Sequence, residues 1–287
     1  MTTIETQHGP SWPAPAKLNL FLQITGRRAD GYHALQTVFQ FLSVGDELRF
    51  GVREDGVIRR LAELPAVPAE QDLVVRAARL LQEHSGCRLG ADIHLSKQLP
   101  LGGGLGGGSS DAATTLVVLN QLWGLRLDQD QLAQLGLQLG ADVPVFVRGR
   151  AAWATGVGER LESIDLPEPY YLVIDPGVSV STAEIFAARE LTRNCDPLTI
   201  RAFLRGAGSN VCEPVVRARY PQVAEALDWL GQHGEARMSG SGGCVFAAFD
   251  SHAQAEDVKS RVARKWVAYV ARAINVNPVH RQLGLPV

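Results

Sequence analysis

Six of the seven residues from Gly102 to Gly108 are glycine, in a stretch running from Pro100 and Leu101 through Leu105 to Ser109, Ser110 and Asp111. Glycine loses more backbone freedom on folding than any other residue, so such a run needs a reason: positive φ, or close approach of the backbone to a ligand. A mostly apolar segment, Ala112 to Trp123, follows and reads as a helix closed by Gly124. A glycine loop feeding a helix start offers unpaired N–H groups and partial positive charge to an anion. Phosphate is the obvious anion, and Ser109 and Ser110 bring hydroxyls to the same place. The Gly-x4-Gly-Lys-Ser/Thr pattern fails, because no lysine follows the glycines. The dinucleotide pattern Gly-x-Gly-x-x-Gly does match at Gly102, Gly104 and Gly107, with Asp128 about 20 residues on. In so glycine-rich a run that match is nearly automatic, and no parallel strand–helix–strand pattern surrounds it. A plain flexible loop would not explain the helix that opens directly from it.

The rest of the chain predicts mixed strands and helices. Residues 18–25 alternate, placing Leu18, Leu20, Leu22 and Ile24 on one strand face, and 36–44 read as a second strand. Asp30-Gly31 between them is a turn signal, and 46–61 continue as strand with a turn at Asp55-Gly56. Asp72 is placed to cap a helix with Leu73, Ala77, Leu80 and Leu81 on one face, ended by Gly86. Residues 91–96 alternate as a strand; Asp128 caps a further helix with Leu132, Leu135 and Leu139 buried. After Pro167 and Pro169 come a strand at Tyr170–Ile174 and a helix at Val223–Leu230. A second glycine loop at Arg237–Gly243 leads into a strand at Cys244–Phe249, and one or two helices occupy 252–273. Without strict strand–helix alternation the class is α+β, with a domain boundary near the two prolines. With 46 % hydrophobic residues the 287-residue chain can bury a sizeable core, and a formal charge of −2 argues against bulk electrostatic binding of nucleic acid. Cys87, Cys195, Cys212 and Cys244 form no ligand cluster and no short disulfide framework. They read as reduced thiols of a cytoplasmic protein. The first ten residues lack the basic-then-apolar pattern of a signal peptide, and no stretch nears the ~18 to 20 apolar residues of a membrane span.

Two isolated charges stand out. Lys17 precedes the apolar strand Leu-Asn-Leu-Phe-Leu, and Asn19 shares its strand face. Asp142, in Gly140-Ala141-Asp142-Val143-Pro144, is placed either to take a proton from a hydroxyl or to cap a turn.

Pro15-Ala16-Lys17-Leu18-Asn19-Leu20, then Gly26 to His33, the glycine loop, Gly140 to Pro144 and Ser239 to Gly243 occur in one order. That order resembles the GHMP kinase superfamily of galactokinase, homoserine, mevalonate and phosphomevalonate kinases. The Asp30-Gly31-Tyr32-His33 and Leu101–Ser110 segments resemble the branch acting on a cytidine-diphosphate-linked methylerythritol in isoprenoid synthesis. The resemblance spans residues 15 to 244. It implies a two-domain α+β fold with the active site in the interdomain cleft: an ATP-binding half at 1–166 and a C-terminal half at 167–287. It implies transfer of the γ-phosphoryl of ATP, with Mg²⁺ present, to the 2-hydroxyl of that small molecule. Lys17 and Asp142 then match the catalytic pair. Pro100, Leu101, Gly102, Gly103, Gly104, Leu105, Gly106, Gly107, Gly108, Ser109 and Ser110 match the nucleotide loop. Asn19, Tyr32, His33, Thr182 and Phe186 match the acceptor side, with Phe186 a stacking ring or plain core. Asp111 either caps the helix or attracts Mg²⁺. Asp72 stands where the family often shows asparagine near adenine, and its carboxylate lacks the amide donors. The competing functions are another alcohol kinase of the superfamily, a nucleotide-binding module without catalysis, and a dinucleotide oxidoreductase.

Overall fold

A long, bent hairpin organises the molecule. In the computed structural model, which describes residues 9–28, 31, 33–61, 64 and 67–285, β1 (Trp12–Arg27) pairs antiparallel with β2 (His33–Arg53). Met1–His8, Tyr32 and the Ala29-Asp30 part of the expected turn lie outside the described residues. Short β3 (Ile58–Arg60) leads to α1 (Leu73–Ser85), β4 (Gly90–Ser96), α2 (Gly107–Leu122), α3 (Gln129–Leu139) and α4 (Val143–Arg148). Then come β5 (Ala152–Gly156), β6 (Arg160–Ser163), β7 (Tyr170–Asp175), α5 (Thr182–Ala187), α6 (Ile200–Phe203), α7 (Glu213–Arg219) and α8 (Pro221–Leu230). The chain ends with β8 (Arg237–Met238), β9 (Val245–Phe249), α9 (His252–Lys259), β10 (Val267–Ile274) and α10 (Pro278–Leu283). The expected 166/167 boundary falls between β6 and β7.

Length lets β2 serve as the spine. Along the edge away from β1 it pairs in turn with β5 at 35–39, β10 at 41–42 and β4 at 47–53. The order β3-β4-β2-β10-β7-β9-β8 is antiparallel except for β3–β4. That topology bears out α+β; the parallel pair β3–β4, joined through α1, ends before the glycine loop. No helix of the described residues is long and apolar enough to cross a membrane.

Several local signals act as expected. Asp72 accepts from Val74 N at the start of α1, Gly86 ends it at φ 67°, and Asp128 and Gln131 form a reciprocal capping box on α3. Four expectations are corrected. Register shifts split β1, so Leu18 and Leu20 pack in one apolar cluster and Leu22 and Ile24 in another, not on one face. The buried face of α1 is Val74, Val75, Ala77, Ala78 and Leu81, with Leu73 and Leu80 partly buried. Helix α2 begins at Gly107, five residues before the expected Ala112, because Gly106 at φ 71° turns the chain directly into it. Residues 267–273, expected as helix, belong to β10. Its Ala271 and Ala273 are buried, and small residues on a covered strand carry no clear period.

Candidate active site

The glycines are demanded by crowding and by φ. Gly102, Gly104 and Gly106 have φ of 72°, 79° and 71°. A Cβ on Gly104 would lie 2.2 Å from Ser239 O, and one on Gly106 3.0 Å from Lys17 Cε. Helix α2 has no side-chain cap, so its first N–H groups stay free for a ligand beside the loop. Pro100 to Ser109 line a cavity of about 500 Å³ together with Lys17, Asn19 and Asp142. Ser110 is fully buried and does not line it.

The second glycine loop supports the first. Ser239 Oγ donates to Gly104 O at 2.9 Å and accepts from Asn19 N at 3.2 Å. Cys244 N donates to Gly103 O at 3.0 Å. The second loop thus turns tightly and packs against the first at once. All four cysteines are free; Cys212 and Cys244 are buried, and Cys87 and Cys195 are half-buried. Burial pushes Cys212 up to about 12, so that thiol is inert at neutral pH.

Lys17 and Asp142 meet. Lys17 follows a register shift of β1 at Pro15/Lys17, and its backbone N donates to Leu105 O at 2.9 Å. Its ammonium, 3 % exposed, lies 3.1 Å from Asp142 Oδ2 and donates to Gly104 O at 3.2 Å and to Asn19 Oδ1. The Phe39 ring covers it, 5.4 Å to the centroid. Asn19 in turn donates to Thr37 Oγ1 at 2.9 Å, which fixes its amide. Asp142 occupies the N-cap position of α4 but makes no capping bond there. Its carboxylate is directed to Lys17 and the cleft. Helix α4 is fixed by Phe146, fully buried against Phe41 at 5.4 Å; burial of such a ring is worth about 1.5–3 kcal/mol.

At the other end, Thr182 and Phe186 of α5 line the cleft, and Thr182 Oγ1 lies 2.7 Å from Ser241 Oγ. His33 stands behind Phe186, ring centroids 5.6 Å apart and stacked. Burial lowers the His33 pKa from its usual 6.5, helped by Arg193 and Arg27 and opposed by a bond to the Phe186 backbone. The ring is therefore neutral at pH 7. Arg193 donates to Phe186 O at 2.9 Å and to Ala188 O at 2.6 Å, holding the end of α5.

Sequence reasoning missed Lys97, which lines the cleft, and Asp46, which holds it. Neither sits in a motif. Asp111, left open between a cap and an attractor of Mg²⁺, instead pairs with Lys97 at 2.8 Å. Asp72 is used up by Val74 N and by Arg60, and its neighbour Leu73, not Asp72, lines the cleft. Among the described residues no group of three or more His, Cys, Asp or Glu could hold a metal ion.

The model of the GHMP kinases N terminal domain matches residues 72–150, and that of the GHMP kinases C terminal matches 183–268. A 4-diphosphocytidyl-2-C-methyl-D-erythritol kinase of Nitrosococcus oceani is 60 % identical over 92 % of this chain and 94 % of its own. One of Halorhodospira halophila is 56 % identical over 95 % of this chain and 96 % of its own. A crystal structure of 4-(cytidine 5'-diphospho)-2C-methyl-D-erythritol kinase superposes with a TM-score of 0.80 at 34 % identity, covering 92 % of this chain and 99 % of that one. Homoserine kinase from Cytophaga hutchinsonii shares the fold, with a TM-score of 0.69 at 17 % identity over 96 % of this chain and 98 % of that one.

Proposed function

The chain belongs to the GHMP kinases, and on that premise we propose that it moves the γ-phosphoryl group of ATP onto the 2-hydroxyl of 4-diphosphocytidyl-2-C-methyl-D-erythritol, within the methylerythritol phosphate route to isoprenoids. It is an ATP-dependent small-molecule kinase. The observation that carries the reading is the contact of Lys17 with Asp142 at the mouth of the glycine loop.

When bound, ATP would supply the phosphoryl group, and Leu101 to Ser109, which run into the start of α2, would hold its phosphates by backbone N–H groups, with Pro100 lining the cleft and Ser110 buried behind it. Asp142 orients the acceptor hydroxyl and takes its proton as the new O–P bond forms and the bond to the β-phosphate oxygen breaks. Phosphoryl transfer has a loose transition state, so orientation is the larger part of that role. Lys17 meets the negative charge on the transferring group and holds the Asp142 carboxylate in place through their ion pair. Asn19 fixes Lys17 and faces the acceptor. Phe186, backed by neutral His33, stacks on the cytosine, with Thr182 beside it. Mg²⁺ would enter as counter-ion of the nucleotide phosphates rather than on a set of protein ligands among the described residues. The four free thiols favour a cytoplasmic setting.

The test is ADP release with ATP-Mg²⁺ and four alcohols: the cytidine-diphosphate methylerythritol, mevalonate, homoserine and galactose. Turnover is expected with the first alone. Turnover with another instead overturns the acceptor, and none with any, despite ATP binding, overturns the kinase reading in favour of a binding module.

A further inference from the structure

One buried ionic cluster takes no part in the chemistry of Lys17 and Asp142. Directly behind the first residue of α2, the Lys97 ammonium lies between Asp46 Oδ2 and Asp111 Oδ2. All three side chains are withdrawn from water, at 14 %, 0 % and 3 % exposure. One ammonium cannot neutralise two carboxylates, and two charges of the same sign this close oppose each other's ionisation. The two acids are not equally served. Asp46 Oδ1 accepts from Gln98 N at 2.6 Å and Leu99 N at 2.8 Å, so with Lys97 that carboxylate has three donors. Asp111 has Lys97 on one oxygen, while its Oδ1 is buried without a hydrogen-bond partner. A buried oxygen without a donor penalises the charged form of Asp111. The other charge acting on Asp111 is Asp72 at the start of α1, which opposes its ionisation and is itself paired with Arg60. The cluster touches the loop: a Cβ on Gly107 would lie 3.2 Å from both Asp46 Oδ2 and Lys97 Nζ.

We propose that Asp111 is held as an uncharged acid beneath the phosphate loop, that Asp46 is the positioning residue that fixes this state by claiming Lys97, and that nucleotide binding is linked to the Asp111 proton. The proposal rests on the ATP reading above. With Asp111 protonated the cluster is neutral; with Asp111 ionised it carries one net negative charge behind the N–H groups that hold the phosphates. Burial, opposed by Lys97, pushes Asp111 in the same direction, up to about 8. As pH rises through that value the proton leaves and phosphate binding weakens. By reciprocity, bound phosphates raise the affinity for the proton, so ATP binding takes up protons in that window.

The test is calorimetric titration of ATP, without acceptor, into the full chain from about pH 7 to about pH 9, in buffers of different ionisation enthalpy. One linked proton sets a ceiling of about tenfold per pH unit. Wild type is expected to lose several-fold in affinity across the range and to take up a fraction of a proton near the middle of it. Asp111→Asn, which keeps the shape of the neutral acid, is expected to bind with neither pH slope nor proton uptake. Asp46→Asn frees Lys97 to pair with Asp111 and is expected to move the linkage to lower pH. Adenosine, lacking phosphates, should bind without the slope. ATP affinity that is flat with pH in wild type, or an undiminished slope in Asp111→Asn, overturns the proposal while leaving the kinase reading intact. Absence of ATP binding at every pH overturns the kinase reading itself.

Discussion

Asp142 sits where a helix ordinarily uses a carboxylate as its cap, and the α4 N–H groups do without it. Pro144 in the first turn lowers that need, since it brings no N–H and fixes φ. The carboxylate is left for Lys17 and for a ligand. Asp142→Asn is therefore expected to keep the fold and ATP affinity and to lose about 10²- to 10⁴-fold in kcat, the usual scale for a proton-transfer group. Steady-state kinetics beside a thermal melt check this; an unchanged kcat would return Asp142 to a structural role. Residues held in a motif were legible from the sequence. Lys17, Asn19, Asp142, Thr182 and Phe186 all reach the cleft, and His33 reaches it through Phe186. Lys97 and Asp46 were not, because a single lysine after a strand and an aspartate following a glycine within a strand have no spacing that differs from an ordinary solvated charge. Their meaning lies in distance across 51 residues of chain.

At the scale of elements, the phosphate loop is rigid because a second loop is pressed into it. A Cβ on Gly242 would lie 2.3 Å from Gly104 N, 2.5 Å from Gly103 C and 2.6 Å from Gly104 Cα. These are backbone atoms, so no side-chain rotation relieves the clash. Gly242→Ala is expected to displace the phosphate loop and to cost about 10²-fold in kcat/KM for ATP, the scale of an ångström of misplacement. The acceptor end, built on α5, should keep its affinity. Equilibrium binding of nucleotide and of acceptor separates the two; an equal loss of both would mean general damage. Signals of element type were legible where chemistry marks an end: Asp72 and Asp128 as caps, Gly86 as a stop. They failed at α2 and β10. Glycines hid the first turn of α2, and the alternation of β10 is masked because Ala271 and Ala273 give small, uniform side chains on a strand covered by neighbours.

On the scale of the whole molecule, the chain's end returns to hold the helix that carries Asp142. After β10 leaves β2, Ala151 N donates to Asn275 O at 2.8 Å and Asn277 N to Gly149 O at 2.9 Å. The Asn277 amide, fully buried, donates to Phe146 O at 3.1 Å and its oxygen accepts from Val279 N at 3.2 Å. One side chain thus closes the last turn of α4 and caps the start of α10. The domain break expected near Pro167 does not foresee such a link, because the pairing joins positions 131 residues apart. Asn277→Ala leaves a buried carbonyl and a helix start without partners, at about 1–3 kcal/mol for a group so stranded. For a chain of this size each kcal/mol lowers Tm by about 2–4 °C. Asn277→Asp keeps the cap but replaces the amide donor with a charge facing Phe146 O, and should be the more damaging of the two. If α4 transmits the change, kcat falls in both variants while KM for ATP holds, since the phosphate loop is tied to β1 and the second glycine loop rather than to α10. A lowered Tm with unaltered kcat would confine Asn277 to stability, and an unaltered Tm would show that α4 does not depend on the chain's end.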